Sequence, residues 1–160
     1  MLAFVRELAK DGLEVFDQTA LIRSLMPEPG VLTKRQPTEQ ELQDMEFGMR
    51  MAREIGRLDV GQTVVVKQQA VMALEAIEGT DACIRRGGEL ARGGAVVAKT
   101  AKPNQDLRFD VPAVGLKTME IMVEVGAKAL VIEAGRTLLV EQDKVIALAE
   151  AHDIAIAAME

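Results

Sequence analysis

Tryptophan and tyrosine are absent from this chain of 160 residues, and four phenylalanines are its only aromatics. The core must therefore be aliphatic and Met-rich, and base stacking on aromatic rings is not open to it as a nucleic-acid mode. Positive charge is in short supply as well, with 19 Lys and Arg against 25 Asp and Glu, a net charge of −6 and a pI near 5.0. A general binder of phosphate backbones carries a basic face, so no nucleic-acid partner is expected. Cysteine occurs once, at Cys83. That excludes an intrachain disulfide and a cysteine-based metal cluster, and it suits a reducing compartment. His152 is the one histidine. No Ser-His or Cys-His pair can be assembled without it, so a nucleophilic hydrolase mechanism has little support. Long apolar runs are missing too: none approaches the roughly 18 residues of a membrane span. Charges interrupt the apolar start, which reads as an amphipathic helix over 2–10 rather than a signal peptide. A soluble chain is expected, with work at a membrane surface left open.

What is present suits one domain with a proper core, since 49% of residues are hydrophobic and 28% charged. Helix and strand signals alternate. A short strand is expected at 13–15 and a helix from Asp17 to about residue 26, broken by Pro27-Glu-Pro-Gly30. Thr38 with Glu41 forms a capping box ahead of Leu42, Met45, Met49, Ala52 and Ile55 at helical spacing. Residues 62–67 and 71–75 read as a hairpin around Gln68-Gln69, which lacks the favoured Asn-Gly chemistry. A helix of about ten residues opens at Glu78-Gly-Thr-Asp81, weakened by Gly87-Gly88 and ended by Gly93-Gly94. Strands at 95–98, 129–132 and 154–158 then alternate with helices at 116–125 and 141–151. This pattern predicts an α/β fold: a mostly parallel sheet, helices on both faces, and one or two antiparallel hairpins.

In such folds ligands gather at the carboxyl ends of strands, and three polar motifs fall there. Residues 99–115 pack Lys99, Lys102, Gln105, Asp106, Arg108 and Asp110 into one segment stiffened by Pro103 and Pro112. Three cations can hold phosphate oxygens, and two carboxylates four residues apart can hold a hard divalent cation or orient water. The plain alternative is a surface loop laced with weak ion pairs. In the second motif, Glu78 to Asp81, Gly79 permits a close turn. Thr80 can cap the helix while neighbouring amides face an anion, and Asp81 can cap or reach a metal; an ordinary capped helix start explains the same residues. In the third, Glu133-Ala-Gly-Arg-Thr137, Arg136 could clamp a carboxylate or phosphate, or be a solvated residue on a hairpin turn. Cys83 reads as core, as do Met45, Met49, Met119 and Met122. His152 reads as exposed, and Lys34-Arg35 as a solvated loop pair.

Taken in order and spacing, these motifs resemble the UDP-2,3-diacylglucosamine pyrophosphatases of lipid A biosynthesis, in the two-domain type unrelated to calcineurin-like phosphoesterases. Arg35-Gln-Pro-Thr38, Val60-Gly-Gln62 and Ala76-Ile-Glu-Gly-Thr-Asp81 take part in the likeness. Its most specific run is Lys102-Pro-x-Gln-Asp-x-Arg-x-Asp-x-Pro. The resemblance implies hydrolysis of the substrate's pyrophosphate to UMP and 2,3-diacylglucosamine 1-phosphate, assisted by a divalent cation such as Mg2+. It implies that Asp106 and Asp110 are catalytic, with Asp81 joining them around the metal. Lys99, Lys102, Gln105, Arg108, Glu78, Gly79, Thr80 and Arg136 would face the substrate. It further implies a cytoplasmic protein peripheral to the inner membrane, allows a homo-oligomer, and implies that residues 1–160 form the second domain of a longer design whose amino-terminal domain is absent. The alternative is a domain that binds a nucleotide-sugar or a partner without turnover.

Overall fold

The computed structural model describes residues 7–13, 19–103, 105 and 110–160. Six strands form one sheet in the order β1-β8-β6-β4-β2-β3. They are β1 (Gly30–Val31), β2 (Thr63–Lys67), β3 (Ala70–Leu74), β4 (Val96–Lys99), β6 (Ala129–Glu133) and β8 (Ala155–Met159). The central strands β4, β6 and β8 are parallel, while β1 and the β2–β3 hairpin run antiparallel at the flanks. The expected α/β architecture is what forms, with a mixed sheet built on a parallel centre. Two further strands, β5 (Ala113–Val114) and β7 (Leu138–Leu139), pair parallel as a small separate sheet.

The long helices are α1 (Glu39–Arg57), α2 (Thr80–Ala91), α3 (Leu116–Glu124) and α4 (Gln142–Ala151). Strand side chains alternate between faces, and the alternation separates two cores. Val96, Ala98, Ala129, Val131, Ala155 and Ala157 meet Met45 and Met49 of α1. Val65, Val97, Leu130, Ile132 and Ile156 face the other way, against α2, α3 and α4. Alanines on the α1 side let that helix approach closely: a Cβ on Gly48 would lie 2.8 Å from the Ala98 Cβ.

Helix α1 begins as the sequence predicts. The Thr38 hydroxyl accepts from the Glu41 amide at 3.2 Å, and the Glu41 carboxylate accepts from the Thr38 amide at 2.8 Å. Glu41 also receives the Arg35 guanidinium through two hydrogen bonds of 2.8 and 3.0 Å, and Asp153 flanks that guanidinium at 3.2 Å. Arg35 is thus a half-buried clasp rather than a solvated residue, because a fork-shaped cation can satisfy a capping carboxylate and a distant aspartate together. Lys34 is exposed and pairs with Glu150.

Other expectations change in detail. Gln68 and Gln69 both take positive φ, 52° and 56°. The turn stands without Asn-Gly because the Asp44 carboxylate accepts from both amides, at 2.8 and 2.6 Å. Gly87 and Gly88 do not weaken α2; they let it pack. A Cβ at either position would overlap the Val65 or Val125 side chain at 2.5 or 2.3 Å. The segment before β1 is helical over Thr19–Ile22 and a 3-10 turn over Arg23–Leu25, with Leu13 outside any strand. Residues 14–15 and Asp17 lie outside the described residues. Glu133–Thr137 is no hairpin: it leads into β7, which pairs with β5 rather than returning along β6.

Candidate functional site

Because β3 is antiparallel to β2 and β2 to β4, the carboxyl ends of β3, β4 and β6 share one sheet edge. The three polar motifs expected at strand ends do meet there. Lys99 is the last residue of β4 and is only 6% exposed. Its ammonium donates to the Thr80 hydroxyl at 3.1 Å and to the Ala113 carbonyl at 2.9 Å. Burial pushes its pKa below the ordinary lysine value, while the charges of Glu75 and Asp81 act against that shift.

Thr80 does not cap α2. Gly79 occupies the cap position with φ at 82°, and no side chain among the described residues caps the helix. The Thr80 hydroxyl instead donates to Glu75 Oε1 at 3.1 Å and lies 3.3 Å from the Thr63 hydroxyl. Glu75 Oε2 accepts from the Gln62 amide at 3.3 Å. Asp81, one residue further along α2, pairs with Lys117 at 3.0 Å and accepts from Thr118 at 3.5 Å. Glu78 is committed to the helix start: it accepts from the Ala76 amide and forms an ion pair with Arg86. Its hydrogen bond with Arg86 holds its carboxyl below the ordinary value.

A second cluster ties the 99–115 segment to β6. Buried Glu133 accepts from the Ala101 amide at 2.8 Å, while Arg136 and Arg53 stand 3.5 and 4.0 Å from its other oxygen. Pro112 accepts from the Leu138 amide at 2.8 Å, so β5 and β7 anchor the far end. Lys102 pairs with Asp59 at 2.6 Å, and its amide donates to the Gln105 side chain at 2.9 Å. Asp110 is exposed. Asp106 and Arg108, both expected in the site, lie outside the described residues. Among the described residues no three Asp, Glu, His or Cys side chains gather to hold a metal. Cys83 is buried, and desolvation pushes its thiol up to about 12.

Lys99, Thr80 and Asp81 are therefore brought to one edge, with Arg136 on the loop after β6 at that same edge. Lys102 and Glu78 are turned to pairs of their own. Thr63, Glu75, Lys117 and Thr118 escaped the sequence reading. They sit inside regular elements or beside them and carry no motif; Thr63 and Glu75 meet Thr80 through the β2–β3 pairing, and Lys117 and Thr118 meet Asp81 where α3 lies beside α2.

Residues 28–157 match the family model described as the LpxI C-terminal domain. The chain belongs to that family. It is also 39% identical over 152 residues to the UDP-2,3-diacylglucosamine pyrophosphatase LpxI of Caulobacter vibrioides. That alignment covers 90% of this chain and 54% of the relative, so the chain spans about half the length of the family member it matches.

Proposed function

We propose that this chain hydrolyses the pyrophosphate bond of UDP-2,3-diacylglucosamine in lipid A biosynthesis, giving UMP and 2,3-diacylglucosamine 1-phosphate. The likeness to a pyrophosphatase of that name supports the substrate. The observation that carries the chemistry is the Lys99 ammonium held between Thr80 and the Ala113 carbonyl at the carboxyl edge of the sheet.

A diphosphate at that edge would meet the Lys99 ammonium and the first turn of α2, where the helix-start amides and the helix dipole favour an anion. Gly79 leaves room for close approach, since a Cβ there would meet nothing within 4 Å among the described residues. Arg136, Gln105 and Arg108 are assigned to the phosphates, with Lys102 and Glu78 contributing from the rim, where they pair with Asp59 and Arg86, and with Asp106 and Asp110 orienting the attacking water and receiving its proton. Water adds one oxygen to one phosphorus, the P–O–P bridge breaks, and the bridging oxygen leaves with the other phosphorus. A divalent cation, magnesium, belongs to the same reading. The donors on offer are carboxylate oxygens, Asp81 with Asp106 and Asp110, the chemistry a hard cation takes. When bound, it would neutralise the diphosphate charge.

No described helix is long and apolar enough to cross a membrane; because the proposed substrate is acylated, we assign the work to a membrane surface, the cytoplasmic face of the inner membrane. The test is phosphorus NMR of UDP-2,3-diacylglucosamine incubated with the chain and magnesium, with a chelator control and an Asp106→Ala variant. UMP should form and be lost in both controls. Substrate that binds and stays intact would favour the non-catalytic binding domain.

A further inference from the structure

We propose that Glu75 is a positioning residue that acts through the Thr80 hydroxyl to hold the Lys99 ammonium in place for the diphosphate. The role in turnover rests on the hydrolase reading; the coupling itself does not. Glu75 follows β3 and is 8% exposed. A carboxylate so buried is costly unless hydrogen-bonded, and an apolar side chain there would serve packing better. The backbone fixes it from both sides. Its amide donates to the Thr63 carbonyl at 2.9 Å, and Gly61 passes so close that a Cβ there would lie 2.1 Å from the Glu75 carbonyl oxygen.

The hydroxyl chemistry gives this placement a direction. Thr80 has one proton and two lone pairs. The ammonium can only donate, so one lone pair faces Lys99 at 3.1 Å. The Glu75 carboxylate can only accept, so the Thr80 proton goes to it at 3.1 Å. Thr63, 3.3 Å away, must then donate to the remaining lone pair. Ammonium, hydroxyl and carboxylate thus form a chain with a single consistent orientation. A neutral amide at position 75 could donate to Thr80 instead, turning its hydroxyl proton away from position 75 and toward the donors around it.

Among the described residues the charged groups facing the ammonium are Glu75 from the end of β3 and Asp81 from α2, the latter already paired with Lys117 of α3. Of these two, Glu75 has the more direct hold on Lys99, through Thr80, and losing its charge leaves the desolvation of the ammonium less opposed.

The test is an NMR titration of the Lys99 side chain in carbon-13 lysine-labelled chain, for wild type, Glu75→Gln and Thr80→Val. Glu75→Gln should lower the Lys99 pKa by about 1. Thr80→Val keeps every charge and the side-chain volume but breaks the hydroxyl link, so a smaller fall in the same direction is expected; it carries the test where Glu75→Gln does not fold. UMP release should drop by about tenfold or more in Glu75→Gln, with the alkaline limb of its pH profile moving to lower pH. A Lys99 titration unchanged in both variants would overturn the proposal. Absence of UMP release from the wild-type chain would count against the hydrolase reading alone, because the titration still decides whether Glu75 governs Lys99.

Discussion

Glu41 shows how much one residue can carry. Burial alone would raise its pKa, but hydrogen bonds from Arg35 and Thr38 hold it below its ordinary value of 4.5. A carboxylate lowered on folding contributes stability that is present above the unfolded pKa and lost as pH falls through the folded one. Glu41→Gln should therefore cost about 2 kcal/mol at neutral pH. In urea denaturation, its gap from wild type should close as pH drops below 4.5. The capping half of this role was legible, since Thr38 and Glu41 are three residues apart. The Arg35 and Asp153 half was not, because no local spacing links residue 35 to residue 153. Cys83 is the opposite case, readable at once as a small core residue. With its thiol buried and its pKa near 12, it should resist a thiol reagent at pH 8 in the native state and react only on unfolding. Labelling at the native rate of a free thiol would contradict that burial.

At the scale of the element, glycines and turns mark where local rules mislead. An exposed helical Gly→Ala change usually gains up to about 1 kcal/mol. In α2 the sign should reverse: the overlaps with Val65 and Val125 make Gly87→Ala and Gly88→Ala destabilising by about 1–3 kcal/mol. A measured gain at both would mean α2 does not lie where we place it. The hairpin turn teaches the same lesson. Gln68-Gln69 is poor turn chemistry in isolation, and its support comes from Asp44 on α1, so Asp44→Ala should cost about 1–3 kcal/mol by leaving two amides unpaired. Helix α1 itself was legible from its cap and its Met and Ala spacing. The β2–β3 hairpin was legible too, but the antiparallel pairing of β2 with β4 was not, since periodicity sets faces but not neighbours.

The whole molecule brings these elements to one sheet edge, the candidate site. Alternating strands and helices were enough to foresee an α/β fold with polar motifs at strand ends, and Lys99, Thr80 and Asp81 do meet there. The chemistry within that edge depended on pairings the sequence does not contain. Glu75 reaches Thr80 across the helix start, Lys99 reaches the Ala113 carbonyl across a loop, and Glu133 gathers Ala101, Arg53 and Arg136. Lys102, prominent in the motif, turns instead to Asp59. We therefore expect Lys102→Ala to weaken substrate affinity less than Lys99→Met does, as read by titration calorimetry. The most direct measurement of the central claim is UMP release from UDP-2,3-diacylglucosamine by wild-type and Lys99→Met chains side by side, with folding checked by circular dichroism. The account predicts turnover by the wild type and a fall of about 100-fold or more in the variant. Equal rates in the two would contradict it.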